Sequence, residues 1–193
     1  MKIVAKFIST IGNPLSLGLF FTFSYYFHVK NISKNPSLVL VAVAALLIPL
    51  LSFVIYKVQK GEYTDYDVSN RLKRKQVYQV FMVSLLILML ISIFLRFSNN
   101  SIKIQAAVFF QILLSYFINQ RLKISMHTSF SFLFAYLFFP INSITAWALF
   151  GFGFLNGGSR LLLNRHSPSE VLAGFVLGNT VGLLYLYAIN FFL

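Results

Sequence analysis

The sequence predicts an all-α integral membrane protein, a polytopic bundle of six to seven transmembrane helices with a chemical site at one membrane interface. Of its 193 residues, 58% are hydrophobic and only 10% are charged. A soluble domain is roughly 45–50% apolar, with about a quarter of its residues charged, so this chain has too few charges to cover a water-exposed surface. Long apolar runs separated by short polar segments complete the pattern. We expect a single domain over residues 1–193.

Each long apolar run is interpreted as a membrane helix, because about 20 apolar residues cross the hydrocarbon core. The first span begins irregularly at Asn13 and Pro14. We interpret it as a retained helix rather than a signal peptide, since no small-residue cleavage site stands out and further spans follow. The predicted spans are 8–29, 37–56, 77–97, 104–118, two short helices within 129–156, and 171–192.

The segment 129–156 decides between six and seven crossings. It has 28 residues, which is long for one span, and Pro140-Ile141-Asn142-Ser143 in its middle is a turn signal. Two short helices give seven crossings and place His127 and His166 on the same side of the membrane. One kinked helix gives six crossings and separates the two histidines. The convergence of the polar groups favours seven.

With seven crossings, the charged residues are distributed unequally between the two faces. One face receives the N-terminus and the loops 57–76, 119–127 and 157–170, which carry twelve of the sixteen Lys and Arg, all four acids and two of the three histidines. Basic loops are typical of the cytoplasmic side and of contact with anionic head groups. We therefore expect a multi-pass protein of the cell (inner) membrane. The bases of the opposite face are Lys30, Lys34, Arg96 and Lys103.

The stretch 159–170 concentrates ionisable groups at a helix end. It holds Arg160, Arg165, His166 and Glu170 within twelve residues. Ionisable residues at such a place are costly to desolvate and usually functional. Guanidiniums bind phosphate oxygens, and Glu170, one helical turn after His166, is placed to orient its imidazole. This group of residues predicts a site that binds a phosphate group and acts on it chemically.

A second histidine, His127, lies at the entrance of another predicted helix. Alone, such a histidine is more often an interfacial or packed side chain. Phosphoryl transfer through histidine, however, needs a nucleophilic imidazole, a proton donor for the leaving oxygen, and cations around the phosphoryl oxygens. The pairing of His127 with His166 on one face is what indicates this chemistry.

The segment that ends at Glu170 also resembles a known family signature. Ser159-Arg160, five residues, His166, three residues and Glu170 are similar to Ser-Arg-x5-His-x3-Asp, the third signature of the type-2 phosphatidic acid phosphatase superfamily. Glutamate here replaces the family's aspartate and is one methylene longer. This third signature carries most of the specificity of the resemblance, which covers about residues 65–190.

The other two signatures of that family are matched less completely. Ser125 and His127 match the serine and histidine of its second signature, Pro-Ser-Gly-His. The loop 65–76 stands where the first signature, Lys-x6-Arg-Pro, would lie, but it has neither that spacing nor the proline. From this loop we propose Arg71 and Arg74, which are three residues apart and share one face if the segment is helical.

The resemblance implies a role for each matched residue. His166 would be the nucleophile that takes the phosphoryl group, Glu170 would orient it, and His127 would protonate the leaving oxygen. The residues expected to bind the substrate phosphate are Arg160, Ser125, Arg71, Arg74 and Lys123.

The family needs no metal, and we expect no cofactor here. The acids of the 65–76 loop, Asp65 and Asp67, are interpreted as ion-pair partners of nearby bases rather than as Mg²⁺ ligands. The chain has no cysteine, which excludes disulfides and thiolate-ligated metals.

The implied function is a membrane phosphatase that hydrolyses a lipid phosphomonoester or diphosphate, either phosphatidate-like or polyprenyl, through a phosphohistidine. The expected partners are this lipid phosphate and the surrounding membrane lipids. Nucleic acid is not expected as a partner, because the basic residues are short juxtamembrane groups. The alternative is a catalytically inactive protein that binds or transports a lipid phosphate, and the missing first signature keeps this alternative open. A purely structural protein would leave the gathered polar groups without a role.

Overall fold

The computed structural model describes residues 1–28, 37–64, 68 and 70–190, and in this part of the chain all regular structure is α-helical. The predicted all-α class is therefore confirmed. The helices are α1 (Lys2–Ile11), α2 (Pro14–His28), α3 (Ser37–Gln59), α4 (Arg71–Phe94), α5 (Asn99–Ile118), α6 (Met126–Phe138), α7 (Ser143–Leu162) and α8 (Pro168–Ala188).

The segment 129–156 is divided at the predicted turn. Helix α6 ends at Phe138 and α7 begins at Ser143, with Pro140 in the turn between them. Asn142 caps α7, because its side-chain oxygen accepts a hydrogen bond of 2.9 Å from the backbone N–H of Thr145. The prediction of two helices here is confirmed.

The first predicted span, 8–29, was placed too late and is not a single helix. Helix α1 begins at Lys2, and α1 and α2 are bent by 50° at the break between Ile11 and Pro14. Proline is well suited to the first position of a helix, where its missing N–H costs nothing. Residues 2–7 therefore belong to a helix that the apolar pattern alone did not mark.

Three helices of the described chain, α4, α5 and α8, are long and apolar enough to cross a membrane, and the bent pair of α1 and α2 could make a fourth span. These helices are consistent with a membrane protein. The seven crossings stay a prediction.

The chain forms two compact units. The first consists of residues 1–30 and 122–193, and the second of residues 31–121. In the second unit α4 packs against both α3 and α5. A single domain over residues 1–193 stays a prediction.

Helix α6 is the centre of the first unit. It packs against α7, α8 and α2, and eleven of its thirteen residues are buried. The ring of Phe132 makes edge contacts with Phe150, Phe154 and Phe175, at centroid distances of 5.0, 5.1 and 4.8 Å. Such edge-to-face pairs stabilise the packing of helices beyond what the burial of apolar surface alone contributes. These phenylalanine rings thus pack α6 against α7 and α8.

Candidate active site

The site is built where the N-termini of α6 and α8 meet the C-terminus of α7. Ser125 caps α6 and Ser167 caps α8. The backbone N–H of Ser125 donates to the backbone carbonyl of Glu170 over 3.1 Å. This bond joins the segment around His127 to the segment around His166, although the two are about forty residues apart in sequence.

His166 and Glu170 form the central pair of the site. The imidazole Nδ1 lies 2.7 Å from Glu170 Oε2, and the His166 side chain is fully buried. A carboxylate only accepts hydrogen bonds, so Nδ1 carries a proton, and in the neutral imidazole Nε2 then keeps the lone pair. The predicted orienting geometry is present, and the longer glutamate side chain reaches the histidine.

Glu170 is held in place by the start of α8. Its Oε2 also accepts from the backbone N–H of Ser167 at 3.2 Å, and its own N–H donates to Ser167 Oγ at 3.3 Å. These two bonds form a capping box. The carboxylate that contacts His166 is thus part of the helix cap.

Arg160 lies in the last turn of α7 and is only 3% exposed. Its backbone carbonyl accepts from the N–H groups of Arg165 at 3.0 Å and His166 at 3.4 Å. The chain reverses here through Asn164, whose φ of 54° lies in the left-handed region that asparagine tolerates well. The turn therefore folds His166 back towards the α7 terminus that carries Arg160. Nη1 of the guanidinium donates to Ser9 Oγ at 2.6 Å.

His127 is buried in the first turn of α6, at 4% exposure. Its backbone carbonyl accepts from Asn156 Nδ2 at 3.1 Å and from Ser131 Oγ at 2.8 Å. The bond from Asn156, on α7, holds the beginning of α6 against α7, whereas the bond from Ser131 lies within α6.

Ser125, which we expect to bind phosphate, is fully buried. Its Oγ accepts from the Thr128 N–H at 3.4 Å and lies 2.9 Å from Thr128 Oγ1. The hydroxyl oxygen is therefore used to cap α6. Its phosphate-binding role stays a prediction.

Lys123 lies beside the turn that carries His166. Its Nζ donates to the backbone carbonyl of Arg165 at 2.8 Å. The structure thus brings this predicted cation to the segment 159–170.

Arg71 and Arg74, the predicted substitutes for the first signature, belong to the unit of residues 31–121. Arg71 Nη1 donates to the carbonyl of Arg121 at 2.7 Å, and Arg74 Nε donates to the carbonyl of Val68 at 2.7 Å. Both guanidiniums bind backbone oxygens of their own unit, and their role towards phosphate stays a prediction. The loop acids Asp65 and Asp67 lie outside the described residues.

Among the residues that the structure describes, no three His, Asp or Glu side chains are grouped so as to hold a metal ion.

Asn156 is a site residue that sequence reasoning missed. It is fully buried, and its Nδ2 lies within hydrogen-bond distance of Gly12 O at 2.9 Å, His127 O at 3.1 Å and Ser131 Oγ at 2.8 Å. A Cβ at Gly12 would lie 2.2 Å from that same nitrogen. An asparagine inside an apolar helix, four residues before Arg160, was the available signal.

Glycines on α8 were missed as well. A Cβ at Gly174 would lie 2.6 Å from the carbonyl of Ser125, and one at Gly178 would lie 2.3 Å from the carbonyl of Ser129. Small residues spaced by four let two membrane helices approach closely. This close approach brings the start of α8 to the start of α6, where the site lies.

Comparison with known proteins places the chain in a family. A family model described as the PAP2 superfamily matches residues 79–192. That stretch contains His127, Arg160, His166 and Glu170, and it begins after Arg71 and Arg74. No curated protein and no solved structure matches the chain. Since the match covers more than half of the sequence, the chain belongs to the PAP2 superfamily, whose members are phosphatases acting on phosphate esters.

Proposed function

We propose that the chain is a metal-independent membrane phosphatase that hydrolyses the phosphomonoester or diphosphate of a lipid, phosphatidate-like or polyprenyl, through a phosphohistidine. The observation that carries the proposal is the 2.7 Å bond between His166 Nδ1 and Glu170 Oε2. It fixes the tautomer in which Nε2 holds the lone pair, and a lone pair on nitrogen is what attack on phosphorus requires.

In the first step, His166 Nε2 forms a bond to the terminal phosphorus as the bond from that phosphorus to the leaving oxygen breaks. The leaving oxygen is the lipid oxygen of a monophosphate or the bridging oxygen of a diphosphate. The leaving oxygen takes a proton from the His127 imidazolium. The positive charge that develops on His166 is stabilised by the Glu170 carboxylate, 2.7 Å from its other ring nitrogen.

In the second step, water attacks phosphorus and the bond from phosphorus to Nε2 breaks. His127, now neutral, accepts the water proton, because the acid of one step acts as the base of the other. The products are inorganic phosphate and either the lipid alcohol, from a monophosphate, or the lipid monophosphate, from a diphosphate. Both histidines return to their starting states.

Negative charge is spread over the equatorial phosphoryl oxygens in such a transition state. Arg160 is only 3% exposed, and charge interactions are stronger where water is excluded. Lys123, which contacts the carbonyl of Arg165, is a second cation close to the turn of His166.

A lipid substrate is supported by the surroundings of the site. The helices of the described chain present many exposed apolar side chains, among them Leu172 and Val176 on α8, which suit contact with acyl or prenyl tails. The head group would enter from the interface while the tail stays in the bilayer.

The test is phosphate release from a panel of lipid monophosphates and diphosphates by the purified protein. We expect His166→Ala to lower turnover at least about 10³-fold and to abolish acid-labile labelling of the protein by ³²P substrate. His28→Ala is the matched control, because His28 is an exposed histidine at the end of α2.

Undiminished turnover in His166→Ala would remove the assigned nucleophile. If the wild-type protein releases no phosphate from any lipid but binds one, the chain is the inactive lipid-phosphate binder or transporter instead.

A further inference from the structure

Helix α1 contributes a side chain to the phosphate-binding arginine. Ser9 Oγ accepts the 2.6 Å hydrogen bond from Arg160 Nη1, and both residues are buried, at 6% and 3% exposure. Arg160 follows Ser9 by 151 positions in the sequence. Ser9 also precedes residues 79–192, the stretch that the family model matches.

The contact between α1 and α7 is in register with the helical repeat. Ser9 and Gly12 are three residues apart at the end of α1, while Asn156 and Arg160 are four apart on α7, so each pair shares a helix face. Ser9 bonds to Arg160, and Gly12 O accepts from Asn156 Nδ2 at 2.9 Å. Two hydrogen bonds therefore set the position of α1 against the turn that carries Arg160.

A serine hydroxyl suits a buried arginine that must bind an anion. A buried N–H costs free energy unless it is hydrogen-bonded. A carboxylate at this place would satisfy the N–H but would also cancel the positive charge. The neutral Ser9 oxygen accepts from Nη1 without cancelling any of the positive charge of the guanidinium.

We propose that Ser9 is a positioning residue, which orients the Arg160 guanidinium for the phosphate of the substrate. The inference rests on the proposed function, since phosphate is the group that Arg160 binds there. It makes α1 a part of the phosphate-binding site rather than only an N-terminal extension of α2.

The test is the affinity of the full chain for inorganic phosphate, measured by thermal shift in detergent. Ser9→Ala is expected to weaken binding about threefold to tenfold, the usual worth of one hydrogen bond. The control is Thr10→Ala, which removes an exposed hydroxyl that donates to the Lys6 carbonyl. Thr10→Ala is expected to bind phosphate as the wild type does. Ser9→Cys keeps the side-chain shape but replaces the hydroxyl by a larger, weaker acceptor, and it is expected to weaken binding as well.

A double-mutant cycle separates positioning from packing. In an Arg160→Lys background the planar fork that Ser9 orients is absent, so adding Ser9→Ala is expected to change phosphate affinity less than twofold. An equal loss in both backgrounds would assign Ser9 to packing and overturn the inference. So would unchanged affinity in Ser9→Ala, or no phosphate binding by the wild type.

Phosphate release and phosphate affinity, measured on the same samples, distinguish the proposed phosphatase activity from the proposed role of Ser9. Phosphate release by the wild type together with unchanged affinity in Ser9→Ala overturns the role of Ser9 and leaves the phosphatase standing. Phosphate binding that depends on Ser9 and Arg160 without release from any lipid supports the role of Ser9 and overturns the phosphatase.

Discussion

At the scale of single residues, Glu170 combines two tasks that are usually separate. Its carboxylate contacts His166 Nδ1 at 2.7 Å and accepts from the Ser167 N–H at 3.2 Å, while its own N–H is capped by Ser167 Oγ. The helix cap therefore orients the pair of Glu170 and His166. Because a capping box accepts either glutamate or glutamine, the two tasks can be separated by substitution.

Glu170→Gln is expected to keep the cap but lose the charge that stabilises the His166 imidazolium. We predict a fall in turnover of about 10²- to 10⁴-fold with a nearly unchanged melting temperature. Ser167→Ala is the counterpart, which should cost about 0.5–2 kcal/mol of stability with a far smaller effect on turnover. Comparable losses of activity in the two variants would show that the role of Glu170 towards His166 cannot be separated from its role in the helix cap.

The proposed role of His127 as proton donor would matter most for a substrate with a poor leaving group. His127→Asn is expected to lower turnover of an alkyl lipid phosphate by about 10²- to 10⁴-fold. Turnover of p-nitrophenyl phosphate, whose leaving oxygen needs no proton, should fall much less. Steady-state rates of the wild type and the variant on both substrates give the loss of turnover for each substrate. An equal loss on both would show that His127 does not protonate the leaving oxygen.

At the scale of helices, the site depends on how closely α8 approaches α6. The carbonyls of Ser125 and Ser129 lie where side chains at Gly174 and Gly178 would begin. Helix α6 is short and almost fully buried, so it contacts other helices rather than lipid over most of its surface. The close approach is what lets the Ser125 N–H reach the carbonyl of Glu170.

A single methyl group tests this packing. In Gly178→Ala the new Cβ would lie 2.3 Å from the Ser129 carbonyl oxygen, a backbone atom that cannot turn away. We predict a loss of about 1–3 kcal/mol in the free energy of unfolding, measured by thermal or denaturant unfolding in detergent. Gly151→Ala is the matched control, because a Cβ there meets nothing within 4 Å; it should be neutral or stabilising. Similar effects of both variants would argue against the close contact.

At the scale of the whole molecule, the distribution of charge predicts an orientation in the membrane. Helix α4 has 24 residues, about 36 Å of helix, against a hydrocarbon core of about 30 Å. Lys57, Lys60 and the basic start of α4 lie before this span, whereas Arg96 and Lys103 lie after it. The excess of bases before the span favours the cytoplasm for that end.

Cysteine labelling measures this orientation directly, since the chain has no cysteine of its own. We predict that Lys60→Cys reacts with a membrane-impermeant maleimide only in inside-out vesicles and Lys103→Cys only in intact cells. A permeant maleimide, which should label both, is the control. Labelling of both positions from one side would show that α4 does not span the membrane.

The sequence by itself determined the all-α class, the approximate positions of most helices, the division of 129–156, and the pairing of His166 with Glu170. These features follow from local physics: hydropathy sets helix length, proline and asparagine set the turn, and a spacing of four residues sets the contact. It placed the start of the first helix too late, because Lys2 and Lys6 interrupt an apolar run but not a helix. Only the tertiary structure decided that Ser125 meets Glu170, that Ser9 holds Arg160, and that Asn156 links α1 to α6. Those contacts join residues far apart in the chain, and they depend on how closely helices pack, which no local pattern of residues records.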